Sequence, residues 1–244
     1  MSSSVFTWII VAVFAFAGGF VQTVSGFGGA IVMMLAFPYF FPLKQAPALA
    51  SAIGLGVSGS LMVTFFKQID WKKCLVPTII YTVLSQITIF LIPYLNVNVM
   101  GVIYGIFLIF IALWYFFASG KVSLKGTFGM LFSTFVSGIA CGLFGIGGPL
   151  MAVYYSDIIA DKTTYLATIQ FNFFFGNLIS FISRIISGIY TADLVKYTLF
   201  GFVFIWLGRQ TGLKVLGRIN REALKKFIYI IVAASGIFSI VKYI

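Results

Sequence analysis

Two short glycine runs carry the chemistry this sequence can be read for: Ser25-Gly26-Phe27-Gly28-Gly29 and Phe144-Gly145-Ile146-Gly147-Gly148-Pro149. Each interrupts an apolar stretch, Val5 to Phe41 and Phe128 to Tyr155, and the first has no charge along its whole length. Glycine costs about 1 kcal/mol in a helix interior, and proline about 3 outside the first turn. Both stretches therefore read as broken helices whose second arm starts at the glycines. Inside a membrane, irregular backbone is tolerated only where it is buried in protein or lines a wet cavity. Arms starting near Gly28 and Gly147 would present unpaired N–H groups and the positive end of a helix dipole. Glycine also lets a ligand approach the main chain with no Cβ in the way. If the two turns face each other, they form a cradle for an anion. Close helix packing is the plainer use of glycine, but a duplicated break inside two over-long apolar stretches favours binding.

Polar side chains near the runs complete the candidate site. Gln22 and Cys141 each stand four residues before a turn glycine, Gly26 and Gly145. Ser25 is expected at the N-cap of the second arm, where its hydroxyl either caps the helix or meets a ligand. On the helices that follow, Ser51 and Gln170 occupy equivalent positions, joined by Asn172 and Asn177. Amides in apolar helices also serve plain helix–helix hydrogen bonding. The binding set is thus Gln22, Ser25, Gly26, Phe27, Gly28, Gly29 and Ser51 from the first half. The second half supplies Cys141, Gly145, Ile146, Gly147, Gly148, Gln170 and Asn172. Phe144 stands where the first half has Ser25, so the two turns differ chemically. A buried free cysteine is ordinarily a small apolar residue, and Arg184, at a predicted helix end, reads as a marker of the outer interface.

What is missing narrows the chemistry. The chain has no histidine, two cysteines without metal spacing, and five acids (Asp70, Asp157, Asp161, Asp193, Glu222), all at segment ends or loops. No acid–base pair can be assembled from these, so no catalytic residue, metal or cofactor is expected. A mid-membrane carboxylate, the usual proton or Na⁺ coupling ligand, is also lacking.

The elements that must position these residues are membrane helices. The hydrophobic share is 61% and the charged share 9%, against about 45–50% and about 25% in soluble domains. So few charges cannot cover a water-facing surface, which makes lipid the solvent for most of the exterior. The excess of 16 basic over 5 acidic residues falls in short loops, so it speaks for membrane orientation and not for nucleic acid. Met1-Ser2-Ser3-Ser4 lacks the basic segment of a signal peptide. Six runs are apolar enough to span: Ala46 to Phe66, Leu75 to Leu95, Val99 to Phe117, Tyr165 to Ile185, Leu194 to Leu207 and Ala223 to Val241. The four tryptophans, Trp8, Trp71, Trp114 and Trp206, fall near predicted segment ends, as interfacial indoles do.

The two broken stretches align without a gap at an offset of 119, Gly19 on Gly138, Gly26 on Gly145, Gly28 on Gly147, Gly29 on Gly148, and then Ser51 on Gln170. This is an internal duplication, residues 1–119 and 120–244. The loop charges separate parallel from inverted halves. If each broken stretch crosses once, eight basic residues fall on either side. If each enters and returns, one side holds Lys67, Lys72, Lys73, Lys121, Lys125, Lys162 and the six between Arg209 and Lys226. The other then keeps only Lys44, Arg184, Lys196 and Lys242. Positive residues gather inside, so both termini are expected outside. The basic run from Arg209 to Lys226 anchors to anionic lipid. The expected fold is all-α integral membrane, with two inverted repeats, each a re-entrant-like broken-helix hairpin plus three transmembrane helices.

The pattern Gly19-x2-Gln22-x2-Ser25-Gly26-Phe27-Gly28-Gly29, echoed by Gly138-x2-Cys141-x3-Gly145-Ile146-Gly147-Gly148-Pro149, resembles the TauE/SafE family over essentially the whole chain. That resemblance implies a transporter of sulfite or an organosulfonate in a bacterial-type inner membrane, with lipid around it and a homodimer allowed. An anion leaving a cell held about 100 mV negative gains about 2.3 kcal/mol per charge, a roughly fifty-fold gradient. Export driven by membrane potential is thus the simplest mechanism. Uptake coupled to Na⁺ or H⁺, and an anion channel, are the alternatives.

Overall fold

The computed structural model describes residues 5–118, 123–215 and 221–244, with no strand among them. Ser2, Lys121 and Arg218 lie outside the described residues, as do the side chains of Arg221 and Lys225. The first apolar stretch folds as α1 (Val5–Ser25), α2 (Gly29–Met34) and α3 (Phe37–Phe40). It is followed by α4 (Ala46–Thr64), α5 (Trp71–Leu91) and α6 (Val97–Leu113). The second folds as α7 (Gly126–Phe144) and α8 (Gly148–Ile158), followed by α9 (Lys162–Ile186), α10 (Ala192–Val215) and α11 (Arg221–Tyr243). Both breaks fall at the glycine runs. Gly26, Gly28 and Gly145 have φ of 87°, 98° and 69°, a region that a Cβ makes costly.

Seven of these helices are long and apolar enough to cross a membrane: α1, α4, α5, α6, α7, α9 and α11. The six expected spans are corrected at two points. The first arms of the broken stretches, α1 and α7, have 21 and 19 residues, about 30 Å at the helical rise. Each is therefore long enough to cross by itself, where a partial dip was expected. Conversely, α10 is not among the seven, because Asp193 and Lys196 near its start and Arg209 and Lys214 towards its end shorten its uncharged apolar run. It runs eight residues past the expected end at Leu207, which leaves Trp206 within the helix.

The interior is apolar, as in a water-soluble bundle, but here the outer surface is apolar as well and polar groups turn inward. On α5, Ile79, Val83, Ile87 and Phe90 are 48–60% exposed, while Thr78, Tyr81, Ser85 and Thr88 are buried. With lipid outside, apolar side chains gain nothing by turning inward, and hydrogen-bonding groups gather where partners exist.

Helix pairing follows small residues. α1 runs alongside α10 in the same direction: Trp8 packs on Tyr197 and Phe200, and Gly212 meets Thr23. α7 runs alongside α5 in the same direction, with Gly138 on Tyr81 and Leu84, and Gly142 on Ser85 and Thr88. α4 and α9 cross antiparallel, Gly54 facing Asn177 and Gly59 facing Phe174. α6 and α11 do the same, Gly101 against Tyr243 and Gly105 against Ile240. Absent side chains let backbones approach: Gly208 packs directly on the Phe16 carbonyl.

One end of the bundle gathers Tyr39, Lys44, Pro93, Ser187 and Lys242 around an open basin, with Phe6 stacked on Phe40 beside it. The other gathers Thr23, Phe65, Lys162 and Tyr165. Consequently α1 leaves the basin end and the α2–α3 segment returns to it. α7 leaves the opposite end and α8 returns there, where the Leu124 N–H donates to Asp157 Oδ2 at 2.6 Å.

Candidate functional site

The two glycine turns meet. A Cβ placed on Gly148 would lie 3.3 Å from Phe27 Cβ and 3.7 Å from the Gly28 nitrogen. Around this contact stand Tyr81, at mid-length of α5, and Phe173 and Asn177, at mid-length of α9. The site thus sits in the middle of the bundle. Between the turns is a cavity of about 20 Å³, lined by Gln22, Gly28, Ile146, Gly147, Tyr81 and Asn177 among others. That is room for about one water, far less than a sulfur oxyanion occupies. In this conformation the site is closed.

Side chains from the following helices seal it from both halves. Gln22 Nε2 donates to Gln170 Oε1 at 2.9 Å, and Gln170 Nε2 donates to the Gly26 carbonyl at 2.6 Å. All three are buried, and Gln22 Oε1 also packs over Gly29. The 119-residue offset maps this trio onto Cys141, Ser51 and Gly145. There the shorter side chains leave a gap: Ser51 Oγ lies 3.2 Å from a Cβ position on Gly145 but has no hydrogen-bond partner in the protein. Cys141 is a buried free thiol 4.0 Å from Asn177 Oδ1.

Asn172 is fully buried. Its Oδ1 accepts from Thr78 Oγ1 at 3.0 Å and from the Tyr155 hydroxyl at 3.3 Å, while its Nδ2 finds no partner in the protein. Ser51 and Asn172 are thus two buried donors with spare capacity on helices that flank the turns. A buried polar group without a partner costs about 1–3 kcal/mol, so a partner with acceptor oxygens suits both. No carboxylate lines the cavity.

Two expectations are overturned. Ser25 does not cap the second arm: it is the last residue of α1, and its hydroxyl donates to the carbonyls of Val21 and Phe27. Gly28 occupies the N-cap of α2 instead, with no side-chain cap. Since α2 has six residues, it offers bare amides but little dipole. α8, with 11 residues, is the stronger terminus, although Pro149 removes one of its N–H donors. Nor does Arg184 mark an interface. It is 0% exposed, and Nη2 donates to the carbonyls of Cys141 at 3.2 Å and Gly142 at 2.6 Å. Interfacial arginines reach outward to headgroups; this one turns inward to the end of α7, where the Cys141 carbonyl keeps the Gly145 N–H at 2.8 Å but the Ile146 N–H goes to Ala140, which leaves the Gly142 carbonyl open to an outside donor.

Tyr81 carries the contact that residue types alone missed. It is 1% exposed and packs directly against Gly147 and Gly176. Nothing in the sequence separates it from the other aromatics of an apolar helix. Tyr155 and Thr78 were missed for the same reason.

The chain matches the family described as sulfite exporter TauE/SafE over residues 10–239. It belongs to that family. The match takes in both glycine turns, both following helix sets and Arg184. TauE/SafE is a family of membrane transporters, and the span-length apolar helices make this member a multi-pass membrane protein. No curated protein and no solved structure matched the chain.

Proposed function

We propose that this TauE/SafE member carries a small sulfur oxyanion, sulfite or an organosulfonate, across the membrane by exposing its paired glycine turns alternately to the two sides. The observation that carries the reading is the contact of Gly148 with Phe27 and Gly28 at the centre of the bundle. Two duplicated helix breaks meet there, and the unpartnered hydroxyl of Ser51 packs on Gly145 of the second break. Broken helices that meet at mid-membrane in corresponding halves are the form transporter sites take. The 20 Å³ cavity is then the occluded, empty state, and transport requires the turns to separate.

The reading treats residues 1–119 and 120–244 as inverted repeats. Its support is that α1 and α7 leave opposite ends of the bundle while each second arm returns to its own starting end. Most described basic residues, Lys67, Lys73, Lys162 and Lys214 among them, then share the end away from the termini. Positive-inside logic makes that end cytoplasmic and puts both termini outside. Since no carboxylate lines the site, the potential supplies the drive, and export is favoured.

Counterflow of labelled sulfite, sulfate and methanesulfonate in proteoliposomes tests the proposal. Gly148→Ala is the informative variant, because its Cβ would press on the Phe27 side chain at 3.3 Å, so that Phe27 must give by a few tenths of an ångström, while the nearest backbone atom, the Gly28 nitrogen, stays 3.7 Å away. Saturable exchange by the wild type, lost or slowed at least tenfold in Gly148→Ala, is expected, about 1.4 kcal/mol or more per cycle. Normal exchange by the variant overturns the cradle. Conduction at channel rates overturns alternating access.

A further inference from the structure

Among the described residues no acidic group pairs with the Arg184 cation. Among the described residues the single ion pair is Lys73 with Asp70, at the opposite end of the bundle. The Arg184 side chain is fully buried, and its Nε and Nη1 have no partner in the protein. Three of its five N–H donors are thus unused. A buried unpaired charge costs several kcal/mol, and such groups inside membranes ordinarily mark a path for charge.

Its position gives that cost a use. Ser187, Gly188 and Ile189, the turn just after Arg184, form part of the wall of the basin at the end carrying the termini. The Ile189 and Tyr190 N–H groups both donate to the Arg184 carbonyl at 2.9 Å, which ties that wall to it. On the other side its guanidinium holds the carbonyls of Cys141 and Gly142, just before the Gly145 turn. The residue therefore stands between the basin and the closed central cavity. The basin measures about 730 Å³, and its walls include Lys44 and Lys242 but no acid. Nor is a cation demanded by the repeat, since the equivalent position in the first half is Phe65.

We propose that Arg184 is a binding residue for the carried oxyanion, pairing with it through the unused Nε and Nη1 donors as it passes between the central turns and the basin. The proposal rests on the anion-transport reading above. Charge-assisted hydrogen bonds from guanidinium to oxyanion are among the strongest in proteins.

Binding of sulfite, sulfate and methanesulfonate to purified full-length protein, read by thermal shift and isothermal titration, separates the outcomes. Arg184→Gln is expected to weaken binding about 10–100-fold, the range of one or more lost charge-assisted bonds. Arg184→Lys, which keeps the charge, is expected to recover at least part of that loss. A merely structural role would lower the melting temperature of Arg184→Gln without changing affinity, and that result overturns the proposal while leaving transport standing. If Arg184→Gln does not fold, wild-type protein treated with butane-2,3-dione decides. Sulfate or methanesulfonate should slow modification at Arg184 and not at Arg209, which is held by Thr64 at the opposite end. Equal rates with and without the anion overturn it. A wild type that binds none of the three anions overturns both readings.

Discussion

Gln170 and Ser51 do the same job in the two halves with different reach. Gln170 fills its turn, bonding Gln22 and the Gly26 carbonyl; Ser51 stops short of Gly145 with its hydroxyl unused. The unequal filling leaves the second turn as the half with spare donors. Gln170→Leu should therefore orphan two buried groups and destabilise the detergent-solubilised protein by about 1–3 kcal/mol, read from thermal unfolding. Ser51→Ala removes no bond the protein makes, so its melting temperature should stay put while oxyanion affinity falls. Gly147 tests packing at the same scale. A side chain there runs into the buried Tyr81 ring, so Gly147→Ala should cost about 1–3 kcal/mol by overpacking. Combining it with Tyr81→Ala should give less than the sum of the two losses, the mark of a shared contact.

Element ends and seams obey ordinary helix chemistry even in this apolar chain. α9 starts at a capped N-terminus: Asp161 Oδ2 accepts from the Thr164 N–H at 2.7 Å. Bonds from Thr164 hold the Asp161 carboxyl below its usual pKa. A depressed folded value means the cap is fully present at neutral pH and is lost as pH falls through that value. Asp161→Ala should accordingly melt at a lower temperature than wild type at pH 7, with the gap closing under acid. Along their length, α5 and α9 are zipped by Thr78 to Asn172, Ser85 to Ser180, and Gln86 to Ser183. Each such interhelical bond is worth about 0.6 kcal/mol, so Ser85→Ala should cost little by itself. α5 and α9 are thus joined by three weak bonds and by no single strong one.

At the scale of the whole molecule, the proposed inverted arrangement makes a prediction about sides. Single-cysteine reporters at Lys242 and at Lys73 should be labelled from opposite faces of intact cells, Lys242 from outside and Lys73 only after permeabilisation. The native Cys74 and Cys141 are both buried and give little background. Labelling of both reporters from one face would refute the inverted reading, and with it the location of the basin on the outer face.

The sequence alone determined the solvent and the two break points. Each of these is written in local terms: apolar run length, charges per loop, and glycines that no helix interior favours. Repeat register also paired Gln22 with Cys141 and Ser51 with Gln170, and Gln22 and Gln170 meet at the Gly26 turn while Ser51 packs on Gly145. Tertiary structure decided which groups remain unpaired, because satisfaction depends on partners more than a hundred residues away. Gln170 reaches Gly26 and is spent, while Ser51 packs on Gly145 with its hydroxyl unbonded. Arg184 looked peripheral by its place at a helix end, yet it turned inward once a broken helix left the Gly142 carbonyl open. Direction of a side chain is set by where acceptors lie in space, and linear spacing carries no record of that.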